Sequence, residues 1–379
     1  MERIELIAPC HFGLESVLKR EIQDLGCGIS SVEDGKVRFV TDPRGIARSN
    51  IFLRTTERIL VLAGEFTAVT FDELYEKTKV LDWKRWIPAD GRVWVTKANS
   101  VKSKLFSPSD IQSIMKKAIV DRLKEQYHVE TVPETGAPYP LRVSIMKDRV
   151  TIGIDTSGIS LHKRGYRTDT VKAPISETLA AALLMLTPWK KDRILMDPFC
   201  GSGTFPIEAA LMAAGIAPGM NRSFTAEEWP NILSKRDWYE AANEAMDSVN
   251  ENVRTDIVGT DIDPAAIRAA KENAARAGVS DLIRFEVRDA EKMSHPGEYG
   301  FIVTNPPYGE RLSEKEALRP LYEALGERFR ALPTWSMYVI TSYEDAERDI
   351  GRKADKHRKI YNGMLKTYFY QFMGPKPER

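Results

Sequence analysis

Cysteine is scarce in this 379-residue chain: three, at positions 10, 27 and 200, with no Cys-x-x-Cys pair. That spacing argues against a zinc ribbon and against a disulfide framework. The five histidines show no ligand spacing either, so no metal is expected. No apolar run approaches the roughly 20 residues that cross a bilayer, and no secretory apolar segment opens the chain. The expectation is a cytoplasmic protein with reduced thiols and no membrane partner. Net charge is only +1, so bulk charge announces no polyanion. Long low-complexity linkers and simple internal repeats are also missing.

What is present is globular. At 42% hydrophobic residues the chain can bury a core, and its length suggests two or three domains. Charge is uneven: Arg92–Lys124 holds eight basic residues against two acidic. The pattern over the first 160 residues alternates strand and helix. Strands are expected at Glu5–Pro9, Lys36–Val40, Leu62–Val69, Val93–Ala98, Leu141–Met146 and Val150–Asp155. Helices are expected at Gly13–Leu25, after Asp42-Pro43, at Phe71–Trp86, and from Pro108, where Ser107 supplies the cap. From His162 onward an alanine-rich helix, Glu177–Leu186, precedes five β/α steps. Their strands are Ile194–Asp197, Ile257–Asp261, Ile283–Val287, Phe301–Asn305 and Met337–Thr341, and a hairpin near Lys356–Tyr361 and Lys366–Phe372 closes the edge. This is a doubly wound α/β sheet.

The stretch Met196–Ala210, MDPFCGSGTFPIEAA, is a strand, a glycine turn and a helix start. Glycines at 201 and 203 let a ligand approach the backbone, and the helix start offers unpaired N–H groups. Asp197, Asp261 and Asp289 end successive strands. A carboxylate at the second position can accept from two ribose hydroxyls. Gly203 and Asp261 stand much further apart than the roughly 20 residues of a dinucleotide fingerprint, which counts against a plain NAD enzyme. The excess, Ala217–Arg254, reads as an inserted helical excursion. Three acidic strand ends suit a cationic ligand bearing ribose and adenine, such as S-adenosylmethionine. Asp263, before Pro264, reads as a helix cap.

The fourth strand of this sheet ends in Asn305-Pro306-Pro307-Tyr308-Gly309. Prolines cannot donate, so carbonyl groups dominate the local polar surface. The Asn305 side-chain oxygen and the Pro306 carbonyl can both accept from one exocyclic amine, and Tyr308 offers a face for a base. Two acceptors on the amine would localise its lone pair toward a methyl donor. Cys200 could be a nucleophile in a C5-methylation scheme, but that chemistry wants a cysteine beside residues 305–308; a small residue filling a tight turn is the simpler reading.

The pairing of Asp197-Pro-Phe-Cys-Gly-Ser-Gly-Thr204 with Asn305-Pro-Pro-Tyr308 resembles class I methyltransferases that act on exocyclic amines. With residues 305–311, Leu161–Arg167 and Lys172–Thr178, the chain resembles bacterial THUMP-domain RNA methyltransferases of the large-subunit ribosomal RNA guanine-N2 group, often labelled N6-adenine-specific DNA methylases. The resemblance implies a Rossmann-like class I methyltransferase sheet preceded by ferredoxin-like and THUMP α+β domains, divided as 1–65, 66–160 and 161–379. It places the cofactor's methionine end on Asp197, Gly201 and Gly203, within the turn that also holds Pro198, Ser202 and Thr204. The ribose falls on Asp261, the adenine on Ile262, and the adenine amine on Asp289 beside Ala290. Asn305, Pro306 and Tyr308 form the target-base motif, with Asn305 also bordering the cofactor. Lys172, Ser176 and Thr178 flank it. Lys97, Lys102, Lys104, Lys116 and Lys117, and with them Lys163, Arg164 and Arg167 beside His162, are expected either to contact RNA or to be a solvated face. Three functions stay open: guanine-N2 methylation of ribosomal RNA, adenine amino-methylation of DNA or RNA, and a non-catalytic RNA-binding assembly role. No DNA-reading module is apparent in the first 160 residues, which disfavours DNA.

Overall fold

The computed structural model describes residues 3–167, 175–308, 312–363 and 365–377. They form two compact units. The first comprises residues up to Pro9, Glu21–Leu161 and Arg222–Glu244. The second comprises Cys10–Arg20, His162–Asn221 and Ala245 onward.

The first unit is built on one sheet whose order is β2-β3-β1-β4-β7-β6-β5. Its strands are β1 (Ile4–Pro9), β2 (Gly28–Glu33), β3 (Lys36–Thr41), β4 (Leu60–Thr67), β5 (Arg92–Val101), β6 (Pro138–Met146) and β7 (Arg149–Asp155). The division expected at 65/66 falls inside β4. Only β5 and β6 pair in parallel among its described strands, because the long helix Pro108–Tyr127 crosses over between them. β6 and β7 meet across Lys147-Asp148, both at positive φ (50° and 65°), the two-residue hairpin turn that matches strand twist.

Two expectations in this unit need correction. β2 went unread, because its residues Gly-Ile-Ser-Ser-Val-Glu lie on an exposed edge and carry little apolar alternation. The helix expected over Phe71–Trp86 ends at Lys79; a separate turn, Trp83–Arg85, follows, with the buried Trp83 indole N–H donating to Thr78 O at 2.8 Å.

The excursion within 217–254 places most of its length in the first unit. Trp229 is fully buried, stacks on Tyr139 at 4.9 Å between ring centroids, and donates its indole N–H to Pro138 O at 2.7 Å. Asn231 accepts from the Tyr139 hydroxyl (2.7 Å) and donates to Trp86 O (2.8 Å). Arg48 grips Glu244 with two bonds of 2.8 and 2.7 Å.

The second unit holds the other sheet, in the order β10-β9-β8-β11-β12-β14-β13. Its strands are β8 (Leu195–Asp197), β9 (Ile257–Asp261), β10 (Ile283–Val287), β11 (Phe301–Thr304), β12 (Ser336–Thr341), β13 (Lys356–Asn362) and β14 (Leu365–Phe372). The first five run parallel, and β14 turns back antiparallel to β12. Apolar clusters cover both faces. One gathers helices Glu177–Leu186, Thr204–Ala213 and Pro264–Arg276, the other helix Leu312–Arg330. The chain order reverses between β8 and β11, so a crevice opens above the carboxyl ends of these two neighbours.

Candidate active site

Two loops leave that crevice. After β8 the chain turns through Gly201 (φ 51°) and Gly203 (φ 85°), conformations that favour glycine. Gly203 N–H donates to Cys200 O (2.7 Å), and Gly203 caps helix Thr204–Ala213. A Cβ on Gly201 would meet no atom within 4 Å, so the space above it is open; one on Gly203 would press Phe285 at 3.0 Å and Ala270 at 3.1 Å. Space is open at the first glycine and filled by packing at the second.

Asp197 ends β8 fully buried. Its Oδ1 accepts from Phe199 N–H (3.1 Å) and from the Thr304 hydroxyl at the end of β11 (2.6 Å). Burial raises its carboxyl to about 7, against the lowering pull of those two bonds. The Thr304–Asp197 bond ties the two loop origins together.

Asp261 ends β9 half-buried. It accepts from Gly201 N–H on one oxygen (2.9 Å) and from Asp263 N–H on the other (3.0 Å). Each oxygen keeps a further lone pair for a hydroxyl donor. Ile262 beside it is 67% exposed, and Val287, paired with Asp261 in the sheet register, is 54% exposed. Two apolar side chains left in water at a strand edge suit a flat aromatic guest. Val287 was not singled out from the sequence, where it is one more strand valine; only the register puts it next to Asp261. Asp289 accepts from Glu291 N–H (3.0 Å) and begins a short turn with Ala290 buried behind it; Asp263 caps its helix through Ala265 N–H (2.8 Å), as expected.

After β11, Asn305 is half-buried, Pro306 buried and Pro307 exposed. The Tyr308 hydroxyl donates to Asn305 Oδ1, and burial pushes its phenol well above the usual range. Tyr308 was expected to present a face, yet its hydroxyl also occupies one lone pair of the acceptor meant for a guest amine. Pro307 O accepts from the buried Tyr322 hydroxyl at 3.3 Å, which fixes the backbone of the motif. Gly309, Glu310, Arg311 and Lys172 lie outside the described residues.

The remaining turn residues are structural in their surroundings. Pro198, Ser202 and Thr204 are buried; Ser202 Oγ has no partner, a buried hydroxyl at the foot of the open turn. Cys200 is buried too, and burial keeps its thiol protonated, the wrong state for a nucleophile. Thr178 is fully buried, its hydroxyl 3.3 Å from Ser176 Oγ, and Ser176 caps helix Glu177–Leu186 and meets His11 at 3.3 Å.

The basic residues separate. Lys97, Lys102, Lys104 and Lys117 are exposed on the first unit, whereas Lys116 is half-buried and pairs with Glu134 at 3.3 Å. Lys163 is exposed on the second unit. Arg164 and Arg167 form neither the RNA-contacting run nor the solvated face that were the two expectations for them. Arg164 is 4% exposed and sits 3.5 Å from the fully buried Glu208; Arg167 sits 3.4 Å from the buried Glu177 and donates to the Thr204 hydroxyl. A guanidinium spent on a buried carboxylate is unavailable to solvent, so both brace the glycine turn's helix instead.

A family model described as an RMKL-like methyltransferase domain matches residues 164–371, an RlmL ferredoxin-like domain matches 5–60, and a THUMP domain matches 68–155. YpsC of Bacillus subtilis (strain 168), named provisionally as an RNA methyltransferase, is 47% identical over 382 residues, covering 100% of this chain and 98% of that protein. The ribosomal RNA large subunit methyltransferase K/L of Hahella chejuensis (strain KCTC 2396) is 34% identical over 392 residues, covering 100% of this chain but 54% of that protein. The chain thus spans about half the length of its K/L relatives. The solved structure of SMU.472, described provisionally as a methyltransferase and complexed with SAH, is 41% identical with a TM-score of 0.95 and full coverage of both chains.

Proposed function

This chain belongs to the RMKL-like methyltransferase family, and we propose that it transfers a methyl group from S-adenosylmethionine to the exocyclic N2 amine of a guanine in large-subunit ribosomal RNA. The observation that carries the reading is the Thr304–Asp197 hydrogen bond. It joins the origin of an open glycine turn to that of an acceptor-rich Asn-Pro-Pro-Tyr loop across the crevice of one sheet.

The residues fit the cofactor. The open space at Gly201 accepts a ligand backbone-close, Asp197 faces a cationic amine, Asp261 takes ribose hydroxyls, and Ile262 and Val287 supply apolar surface for adenine. Bound S-adenosylmethionine supplies an electrophilic methyl on a sulfonium. Asn305 Oδ1 and the Pro306 carbonyl accept the two amine hydrogens of guanine N2, which turns the nitrogen lone pair out of conjugation. Tyr308 moves its hydroxyl off Asn305 as the base enters, and its ring then lies along the base. The alkylated aromatic amine is a strong acid, so its proton passes to water and no strong base is required. A guanine within duplex RNA must be splayed out first. The THUMP domain's exposed lysines, Lys97, Lys102, Lys104 and Lys117, support RNA delivery.

Nucleoside mass spectrometry of ribosomal RNA from cells with and without this protein tests the assignment. The expected result is loss of one N2-methylguanosine; an unchanged set of methylated guanines contradicts it.

A further inference from the structure

At the amino ends of β11 and β12, the edge opposite the proposed cofactor site, lies a recess of about 670 Å³. Five cations border it, Arg20, Arg193, Lys356, Arg358 and Lys376, and no carboxylate does among the described residues. Arg20, Lys356 and Lys376 are exposed, with no ion-pair partner among the described residues. The chain's net charge is only +1, so five cations with no carboxylate among the described lining residues are a local concentration. The recess is also built. Arg193 lies over the rings of Phe301 (5.3 Å) and Tyr299 (6.0 Å) and donates to Tyr299 O. Tyr299 stands at φ 55°, a left-handed conformation costly for an aromatic residue, and its N–H is held by Thr334 Oγ1 at 2.9 Å. The opposite wall is pinned by Gly374, whose N–H donates to Ser336 Oγ at 2.9 Å; a Cβ there would meet Trp335 O at 2.3 Å.

Strained backbone holding an aromatic ring beside unpaired cations is the combination that receives phosphodiester and base together. We propose that this recess binds a single-stranded segment of the RNA substrate flanking the target guanine, with Arg20, Lys356 and Lys376 on phosphates and the Tyr299 ring beneath a base. The proposal rests on the RNA reading above. The cofactor edge and the amino edge are separated by strands of four to six residues, roughly 13–20 Å at 3.3 Å per residue, a span a few extended nucleotides cover. The recess therefore anchors the strand that leaves the target base.

The test uses the full chain and fluorescent single-stranded oligoribonucleotides from large-subunit ribosomal RNA, with affinity measured across a salt series. The triple variant Arg20→Glu, Lys356→Glu, Lys376→Glu is expected to lose at least about tenfold in affinity, and its log-affinity against log-salt slope is expected to fall by about 2, near 0.7 for each phosphate contact removed. Tyr299→Gly relieves the backbone and removes the ring; it is expected to weaken binding severalfold while leaving the salt slope unchanged, which separates stacking from charge. Calorimetric affinity for S-adenosylhomocysteine reports that each variant is folded. An unchanged affinity and slope in the triple variant overturns the proposal. So does equal displacement of the oligonucleotide by guanosine monophosphate, which would make the recess a mononucleotide site. The two readings fail separately: binding through the recess by a chain that methylates no guanine keeps the recess and loses the guanine assignment, whereas guanine methylation with an unaltered slope does the reverse.

Discussion

The loop after β8 and the loop after β11 leave neighbouring strands of one sheet, yet their backbones are built from opposite residue types. The first has two glycines at positive φ and a helix start behind them, with open space over Gly201, while the N–H groups of Phe199, Cys200, Gly201 and Gly203 are bonded within the protein. The second contains two prolines, which have no N–H, so it offers oxygen. On the proposed reading, the open glycine turn takes the amino-acid-like end of the cofactor and the proline loop's oxygens take the base amine. The same contrast separates the carboxylates beneath. Asp197 is buried with Phe199 N–H and the Thr304 hydroxyl on one oxygen, and burial raises it; Asp261 is half-buried with backbone N–H on both oxygens.

Breaking the acceptor lip gives the largest expected effect. Asn305→Ala removes the amide oxygen that meets the amine, and turnover should fall by at least about 100-fold, the scale of losing one preorganised polar contact to a reacting group. Calorimetric affinity for S-adenosylhomocysteine should stay the same. Wild-type turnover in this variant removes Asn305 from the mechanism.

Asp261→Ala acts on the other lip. It deletes the acceptor for ribose and frees Gly201 N–H, and should cost about 1.5–3 kcal/mol of cofactor affinity, the range for a hydrogen bond to a charged group. An unchanged dissociation constant contradicts the ribose assignment.

Asp197 sharpens the comparison through pH. Burial lifts its carboxyl from 3.8 when unperturbed to about 7 when folded. Between those values the native state holds a proton that the unfolded chain has released, so ligand-free stability falls as pH rises through the window. A cationic amine bound beside Asp197 favours the carboxylate, so cofactor affinity should rise over the same window, with proton release. Calorimetry in two buffers of different ionisation heat reads both. Affinity that is flat from about pH 6 to about pH 8 argues that no amine sits on Asp197.

How much of this was legible in the sequence depended on whether the cue was local. The glycine turn, the Asn-Pro-Pro-Tyr loop and the parallel strands declare themselves through residue types within a few positions, and all five parallel strands lie where the pattern puts them. Arg164 and Arg167 did not, because the carboxylates that bury them, Glu208 and Glu177, come from helices that only the fold brings alongside. Charge counts along a chain cannot tell a paired guanidinium from a free one. β2 escaped because an exposed edge strand needs no apolar face, and the excursion's Trp229 showed as composition without its partner Tyr139. The Tyr308–Asn305 bond is invisible to sequence for a related reason: both residues were read for what they offer a guest, not for what they offer each other.

The most direct measurement is nucleoside mass spectrometry of large-subunit ribosomal RNA after incubation with the purified chain and methyl-labelled S-adenosylmethionine. The expected product is labelled N2-methylguanosine with the wild type and none with Asn305→Ala. Label in N6-methyladenosine, or in a ring carbon, would contradict an amine of guanine gripped between Asn305 and Pro306.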